Sequence, residues 1–345
     1  MRIAGLGFSY PSIKLDNDEL ISFFRRQGPS VINADERKYF DLVRKLLQKS
    51  GARYRYLRDT ASGESAYEHI CNAAREALSS AGLTASDVDL VIYCGVGRGV
   101  IEPSNACYYA NELGIANAQC FDITDACMSW TRALQICEMY LSSGQMKNAL
   151  VLTGEFHLNI RDPITIRSVE SLSYSFPVYT IGEAATATLL TTSSSEWTFR
   201  FSSRPDLFDL CTIPINGYET YMLPNSKIGL NGVGRFTSHG KELARHVGPM
   251  LLQLVADSGP RHDDVDLYIP HSHSKTSYVQ GLEHSGIPLH KAYFEIYENY
   301  GNIVSSSIPA GLYCAVSAGT VGIGSRICLI PSSAGASCAC VTFTL

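Results

Sequence analysis

Three residues in this chain carry groups capable of covalent or strong hydrogen-bonding chemistry, and each stands where a strand-like run gives way. Cys127 lies in "FDITDACMSWTRALQICEMYLSSGQ", residues 121–145, between a run ending near Asp125 and an amphipathic helix pattern that starts at once. A helix N-terminus presents unpaired N–H groups and the positive end of the macrodipole, so a thiol placed there is expected to ionise readily and act as a nucleophile. His271 ends the apolar run of "LYIPHSHSK", and Asn302 follows a glycine in "ENYGNIVSSSIPAG", just ahead of a small-residue helix. Singly, each has an ordinary reading. A cysteine is more often a small buried hydrophobe, a histidine a satisfied structural group, and a Gly-Asn pair simple turn chemistry. Cys, His and Asn together at strand–helix junctions of one chain is a much rarer pattern.

The elements that must position them alternate along the chain. "RIAGLGFSY" reads as a first strand, "ESAYEHICNAAREALSSAG" as a helix stopped by Gly82, "SDVDLVIYCGV" as a buried strand, and "PSNACYYANELG" as a short helix with Pro103 at its start. The strand "AQCFDI", the helix after Cys127, and the strands "NALVLTGEF" and "ATATLLTT" follow. This alternation implies largely parallel sheets. The second half replays the order: "SDVDLVIYCG" matches "DDVDLYIPHS", "KNALVLTGE" matches "SRICLIPSS", and "ATATLLTT" matches "CACVTFTL". Two copies of one βα unit imply a pseudo-twofold with a site where the halves meet. We therefore expect halves at residues 1–193 and 194–345. The charged, aromatic segment at about 20–60 falls outside the repeat and reads as a cap or entrance insertion.

A chain of 345 residues with 45% hydrophobic content can bury a large core. The net charge of −5 comes without a basic block, which argues against nucleic acid as a partner. The N-terminal "MRIAGLGFSYPS" lacks the pattern of a signal peptide, and no apolar run approaches the roughly 18–20 residues that span a bilayer, so a cytoplasmic protein is expected. The eleven cysteines are scattered through apolar contexts and read as reduced thiols, with Cys137 structural. "CAC" at 338–340 lacks CxxC spacing, and His271 and His273 have no accompanying Cys/His set, so no metal site is expected.

With these motifs in place, the chain resembles the thiolase superfamily, most closely its 3-oxoacyl-[acyl-carrier-protein] synthase III branch. "DITDACMSW" resembles the family's nucleophile motif, with Ser129 where glycine is frequent. "PHSHS" resembles its Pro-His motif, "GNIVSSSIP" its Gly-Asn motif, and "GEAATATLL" its strand entry. The resemblance implies an α/β, duplicated thiolase-like fold of five layers, α-β-α-β-α, with two mixed sheets. It implies that Cys127 takes an acyl group from a CoA or acyl-carrier-protein thioester, a covalent step that divides one difficult displacement into two. His271 and Asn302 would then stabilise the enolate of a second, malonyl or β-ketoacyl, thioester by donating hydrogen bonds. The N–H groups of Cys127 and, in "SSAGAS", of Ala334 would form the oxyanion hole, although Ser333 and Ala334 replace usual glycines.

One departure bears on specificity. "GRGVIEPSNAC" places Glu102 before Pro103, and this Glu-Pro-Ser resembles thioester-condensing enzymes of olefin biosynthesis and α-pyrone-forming ketosynthases. The resemblance implies a glutamate that crosses a dimer interface and deprotonates the carbon α to a thioester. The plainer alternative is a charge capping the following helix. Lys49 and Arg53 match a position near the CoA entrance, where a solvated charged face is the alternative. The family implies no cofactor beyond its thioester substrates, and a homodimer or a heterodimer with a paralogue. Specialised metabolism is the expectation, with fatty-acid initiation, or acyl transfer to a hydroxyl or amine, as alternatives.

Overall fold

The structure is a computed structural model that describes all residues except 28–35, 157–167 and 272. The chain opens with β1 (Arg2–Ser9) and continues through β2 (Ile13–Leu15), α1 (Asn17–Gln27), α2 (Glu36–Ser50) and β3 (Arg55–Leu57), which returns antiparallel to β2. Next come α3 (Ala66–Ala81), β4 (Leu90–Cys94), α4 (Asn105–Glu112), β5 (Gln119–Ile123), α5 (Ser129–Ser142) and β6 (Asn148–Glu155). A single turn, α6 (Leu172–Ser175), precedes β7 (Ala184–Thr191). The remainder comprises β8 (Thr198–Ser203), β9 (Cys211–Thr212), β10 (Thr237–Ser238), α7 (Gly240–Ser258), β11 (Leu267–Pro270) and α8 (Lys275–Ser285). It closes with α9 (Glu295–Tyr300), α10 (Ser307–Ser317), β12 (Arg326–Ile330), β13 (Ser332–Ser333) and β14 (Ser337–Thr344).

Among the described residues two five-stranded sheets result, beside the small pairs β2-β3 and β9-β10, and the large sheets repeat each other over four strands. The first runs β1-β7-β6-β4-β5, and the second runs β8-β14-β12-β11 with β13 on β14. In both, the first two pairings are antiparallel and the next is parallel. The sheets are therefore mixed rather than largely parallel, because β7 and β14 each lie antiparallel to both neighbours. The counterpart of β5 is reduced to one parallel bridge, Tyr268 to Ala292.

Side-chain alternation builds the five layers. Leu90 and Ile92 of β4, with Ala149 and Val151 of β6, face a central cluster, while Val91, Leu150 and Leu152 face outward onto α3 and α4. Ile327, Leu329, Val341 and Phe343 join the same central cluster from the second sheet, and Cys328, Cys338 and Cys340 face outward onto α7 and α8. Both faces of each sheet are covered, which is why these strands are nearly continuous apolar runs. Between the sheets lie α5 and α10, contributing Trp130, Leu134, Ile308 and Leu312. All eleven cysteines are free thiols. No helix among the described residues is long and apolar enough to cross a membrane.

Helix α3 begins at Ser65, which caps Glu68 N–H in a capping box, and ends at Gly82 in a left-handed conformation. It lies almost on the backbone of β1. A Cβ added at Gly7 would sit 1.9 Å from the Ala73 carbonyl oxygen, and one at Gly5 2.1 Å from that of Ala77. Gly7→Ala is therefore expected to push helix and sheet apart and lower stability by about 2–3 kcal/mol in urea denaturation, whereas Gly63→Ala, with open space around it, should avoid any such collision.

Candidate active site

Helix α5 starts at Ser129, and Cys127 occupies the middle of a 3₁₀ turn, Ala126–Met128, that leads into it. Ala126 has φ 46°, a left-handed conformation uncommon for a residue with a Cβ. Such backbone persists only when its surroundings over-determine it. Ser129 Oγ accepts from the Asp125 N–H at 2.8 Å and donates to the Ala126 carbonyl at 2.7 Å. Arg132 Nε donates to the Asp125 carboxylate at 3.2 Å. From the other half, Ser333 Oγ accepts from Met128 N–H at 3.3 Å and donates to the Asp125 carbonyl at 3.4 Å. Ser129 and Ser333, the two serines that depart from the family's glycines, thus tie the turn down. The N–H groups of Ala334 and of Cys127 itself bear on the sulfur.

The expectation of a readily ionised thiol is overturned. Burial pushes the Cys127 thiol far above its ordinary range, and the nearby Cys211 and Glu155 push it further. The two N–H groups act in the opposite direction without overcoming desolvation. The resting group is a neutral thiol.

His271 follows β11 and is 2% exposed. Burial, with a smaller contribution from His273, lowers its pKa to about 3, and burial lowers His273 to about 4. Both rings are neutral. The His271 backbone N–H meets the hydroxyl of Tyr278 on α8, which also bonds Ser332 Oγ at 2.8 Å. The His271 Nδ1 is buried without a hydrogen-bond partner among the described residues.

Asn302 is held by three hydrogen bonds. Its N–H donates to the Thr180 carbonyl at 2.8 Å, its carbonyl accepts from Gly182 N–H at 3.1 Å, and its Oδ1 accepts from Val304 N–H at 2.9 Å. Because a backbone N–H requires an acceptor, the last bond fixes the amide orientation and leaves the NH₂ free to donate. Gly301 is required before it: φ is 73°, and a Cβ would sit 2.4 Å from the Thr180 oxygen. Beneath this turn the buried Arg55 donates twice to the Tyr179 carbonyl, at 2.9 and 2.8 Å, and once to Asn17 Oδ1 at 2.6 Å. Its pKa falls to about 10 through burial.

The turn carrying Cys127 packs against Val304–Ser306, the turn just after Asn302, and against β13. On another side Cys127 borders an apolar cluster that includes Leu20, Phe24, Tyr39, Phe40 and Leu47 of α1 and α2, with Tyr179, Ile181 and Val304. The segment expected at about 20–60 to form a cap therefore supplies apolar wall beside the thiol, while its residues 28–35 lie outside the described ones. Tyr221, in the aromatic-rich stretch from 174 to 221, is instead 87% exposed.

Other expected residues stand apart from this centre. Glu102 is exposed, precedes a cis bond to Pro103, and makes no hydrogen bond or ion pair among the described residues. It does not cap α4. Ser104 does, accepting from Cys107 N–H at 3.3 Å, so Pro103 lies before the cap rather than at the helix start. Lys49 lies in the last turn of α2, its carbonyl receiving Thr276 Oγ1, and its side chain is exposed. Arg53 is 70% exposed, with its guanidinium 3.9 Å from Glu298. Tyr278, Arg55 and Glu155 were not singled out from the sequence, and Ser333 stood out there only as a replaced glycine of the oxyanion loop. Of the first three, Glu155 alone left a signal, a carboxylate ending a buried apolar strand.

Comparison with known proteins accords with this geometry. Residues 121–204 match 3-oxoacyl-[acyl-carrier-protein (ACP)] synthase III, and residues 255–345 match the C-terminal part of the same family, together just over half of the chain. The chain is 27% identical over 335 residues to a beta-ketoacyl-[acyl-carrier-protein] synthase III of Paramagnetospirillum magneticum, covering 95% of this chain and 94% of that one. It is 25% identical over 341 residues to that of Clostridium beijerinckii, covering 97% and 96%. Among solved structures, a cysteine-to-serine variant of Xanthomonas campestris OleA with bound lauric acid and lauroyl-CoA superimposes with TM-score 0.83 at 20% identity, covering 99% and 98%. The 3-oxoacyl-[acyl-carrier-protein] synthase III of Aquifex aeolicus gives 0.77 at 23%, covering 100% and 99%. These two show that the fold is thiolase-like.

The burial of His271 and His273 makes a direct prediction. Their folded values of about 3 and about 4 lie below the ordinary 6.5, so neither takes a proton until well below neutrality. Below pH 6.5 the unfolded chain binds protons that the folded state refuses, so their burial penalises folding increasingly as pH falls. Nitrogen-15 NMR of labelled histidines should show both rings neutral from pH 8 to 5, and a titration near 6.5 for either would refute the assignment.

Proposed function

Because this chain belongs to the 3-oxoacyl-[acyl-carrier-protein] synthase III family, we propose that it condenses two acyl thioesters through an acyl group carried on Cys127. The donor is an acyl-CoA or acyl-carrier-protein thioester. Cys127 sulfur attacks its carbonyl, the thiol proton passes to the donor's sulfur, and the tetrahedral oxyanion lies against the N–H groups of Cys127 and Ala334. The donor's thiol then leaves with that proton. A thiol kept neutral by burial loses its proton only as the sulfur attacks, so resting enzyme is protected from indiscriminate electrophiles. The apolar wall from α1 and α2 supports an acyl chain as the cargo.

In the second half-reaction, His271 and Asn302 donate hydrogen bonds to the carbonyl oxygen of the incoming malonyl or β-ketoacyl thioester. The enolate forms there, by loss of carbon dioxide or of an α-proton, and its carbon attacks the acyl-cysteine in a Claisen-type condensation that expels the thiol. The observation that carries this reading is the amide of Asn302: its oxygen is committed to Val304 N–H, so a donor is presented rather than an acceptor. The neutral His271 donates without protonating the carbanion. Simple transfer of the acyl group to a hydroxyl or amine needs no enolate donors.

Glu102 is assigned as the base for α-deprotonation, acting in the partner subunit of a homodimer. Its lack of partners, its exposure, and the exposed Val100 and Ile101 at 44% and 76% support a surface completed by a second copy. With Ser129 and Ser333 at glycine positions, Glu102 also favours specialised metabolism over fatty-acid initiation.

Intact-protein mass spectrometry with a panel of acyl-CoAs and acyl-carrier proteins tests the first half. One acyl increment should appear and vanish in Cys127→Ala. Absence of any adduct with both donor types would overturn the nucleophile. Asn302→Ala should acylate at near wild-type rate but lose condensation by about 10²–10³-fold. Discharge by an alcohol or amine in preference to malonyl or β-ketoacyl thioester would establish acyl transfer instead. Glu102→Gln should leave acylation intact and slow α-deprotonation by about 10²–10⁴-fold, and an unchanged turnover would remove it from catalysis.

A further inference from the structure

Glu155 ends β6 with its side chain 1% exposed. Its carboxylate accepts from the N–H groups of Val96 at 3.2 Å and Gly97 at 3.0 Å, in the loop that runs from β4 toward Glu102. It also accepts from Ser305 N–H at 3.3 Å and from Ser305 Oγ, in the turn after Asn302. Three backbone N–H groups and a hydroxyl from two separate segments thus converge on one carboxyl group. The approach leaves no room for adjustment: a Cβ on Gly95 would sit 2.5 Å from Glu155 Oε1 and 2.7 Å from Ser305 Oγ. Val304, β-branched and at φ 49°, is strained between two bonds, its own N–H on Asn302 Oδ1 and the next N–H on Glu155.

The arrangement is reciprocal. Val304–Ser306 precedes α10 as Ala126–Met128 precedes α5, each turn starting with a left-handed residue, so Ser305 is the counterpart of Cys127. Ser333, after β12, clamps the turn of the first half, and Glu155, at the end of β6, clamps the turn of the second.

We infer that Glu155 is a positioning residue that locks the turn following Asn302 and the loop leading to Glu102 into one unit, so that a subunit's own Asn302 and the Glu102 it presents to its partner's site are set by the same clamp. The inference rests on the condensation reading above. Glu155 acts through the segments it holds, and its charge bears on the Cys127 sulfur as well. Loosening the clamp with that charge kept should therefore damage the second half-reaction selectively.

The test uses the full-length protein. Glu155→Gln keeps the side chain's shape but turns one acceptor into a donor facing N–H groups. Condensation turnover should fall by about 30-fold or more, the scale of a small misplacement, and acylation should shift separately because the lost charge no longer bears on the Cys127 sulfur. Gly95→Ala keeps the charge but drives a Cβ into the carboxylate, so acylation of Cys127 should stay within about 3-fold of wild type, with an unchanged KM for the donor, while condensation falls as far. Ser305→Ala, which keeps the N–H and loses the hydroxyl, should cost about 3–10-fold. Amide exchange of peptides covering 95–103 and 302–306 should rise together in Glu155→Gln and Gly95→Ala. Equal losses of acylation and condensation in Gly95→Ala, wild-type condensation in all three variants, or exchange that rises in one segment only would overturn the inference. Wild type that acylates but never condenses would sink the functional reading instead, and the exchange experiment would still decide the clamp. Should Glu155→Gln fail to fold, Gly95→Ala and Ser305→Ala decide the outcome.

Discussion

The structure depends on two helices sharing one dry layer. α5 and α10 are both sandwiched between the sheets, each contributing large apolar side chains to a single cluster fed from both sides. A helix covered on both faces cannot shift or rotate without opening cavities, at a cost of about 24 cal/mol per Å³ in the best-studied case. The turns that lead into the two helices are therefore pressed together, and the residues of those turns, Cys127 in one and the segment after Asn302 in the other, become neighbours. Turns that start 178 positions apart, at Ala126 and Val304, meet because a repeated packing problem has one solution.

Much of this was legible in the sequence, for a physical reason. Strands buried on both faces must be apolar throughout, so both copies preserve a recognisable run at β4 and β11, β6 and β12, β7 and β14. The order of strands followed from matching those runs. Their sense did not: a helix between strands suggests a parallel return, yet β7 and β14 lie antiparallel to both neighbours. Cys127, His271 and Asn302 were visible because strand ends and turns carry distinctive residues. Arg55 and Tyr278 were not, and Ser333 showed only as a replaced glycine, since each gains its meaning from partners far away in the chain, such as Tyr179 for Arg55 and Met128 for Ser333.

Charge was the least legible property. The local pattern places Cys127 at a helix start, which favours a thiolate, but its protonation is decided by the sheets, the α1–α2 cluster and Glu155, none of them local. The same burial keeps His271 and His273 neutral. A centre whose thiol and imidazoles are all uncharged at rest is suited to an apolar chain, because charge arises there only during reaction, where fixed dipoles meet it without reorganisation.

Ser305 stands where a second nucleophile would stand. Its backbone repeats the geometry of Cys127, yet its hydroxyl is spent on Glu155 and it is 1% exposed. A duplicated fold starts with two equivalent sockets, and two working ones would hold two acyl groups with no room for an acceptor. Plugging one with a carboxylate breaks the symmetry. Under the proposed condensation, the idle socket is scaffolding and its neighbour Asn302 is left to serve the live one, so that two equivalent turns divide the labour between donor and acceptor.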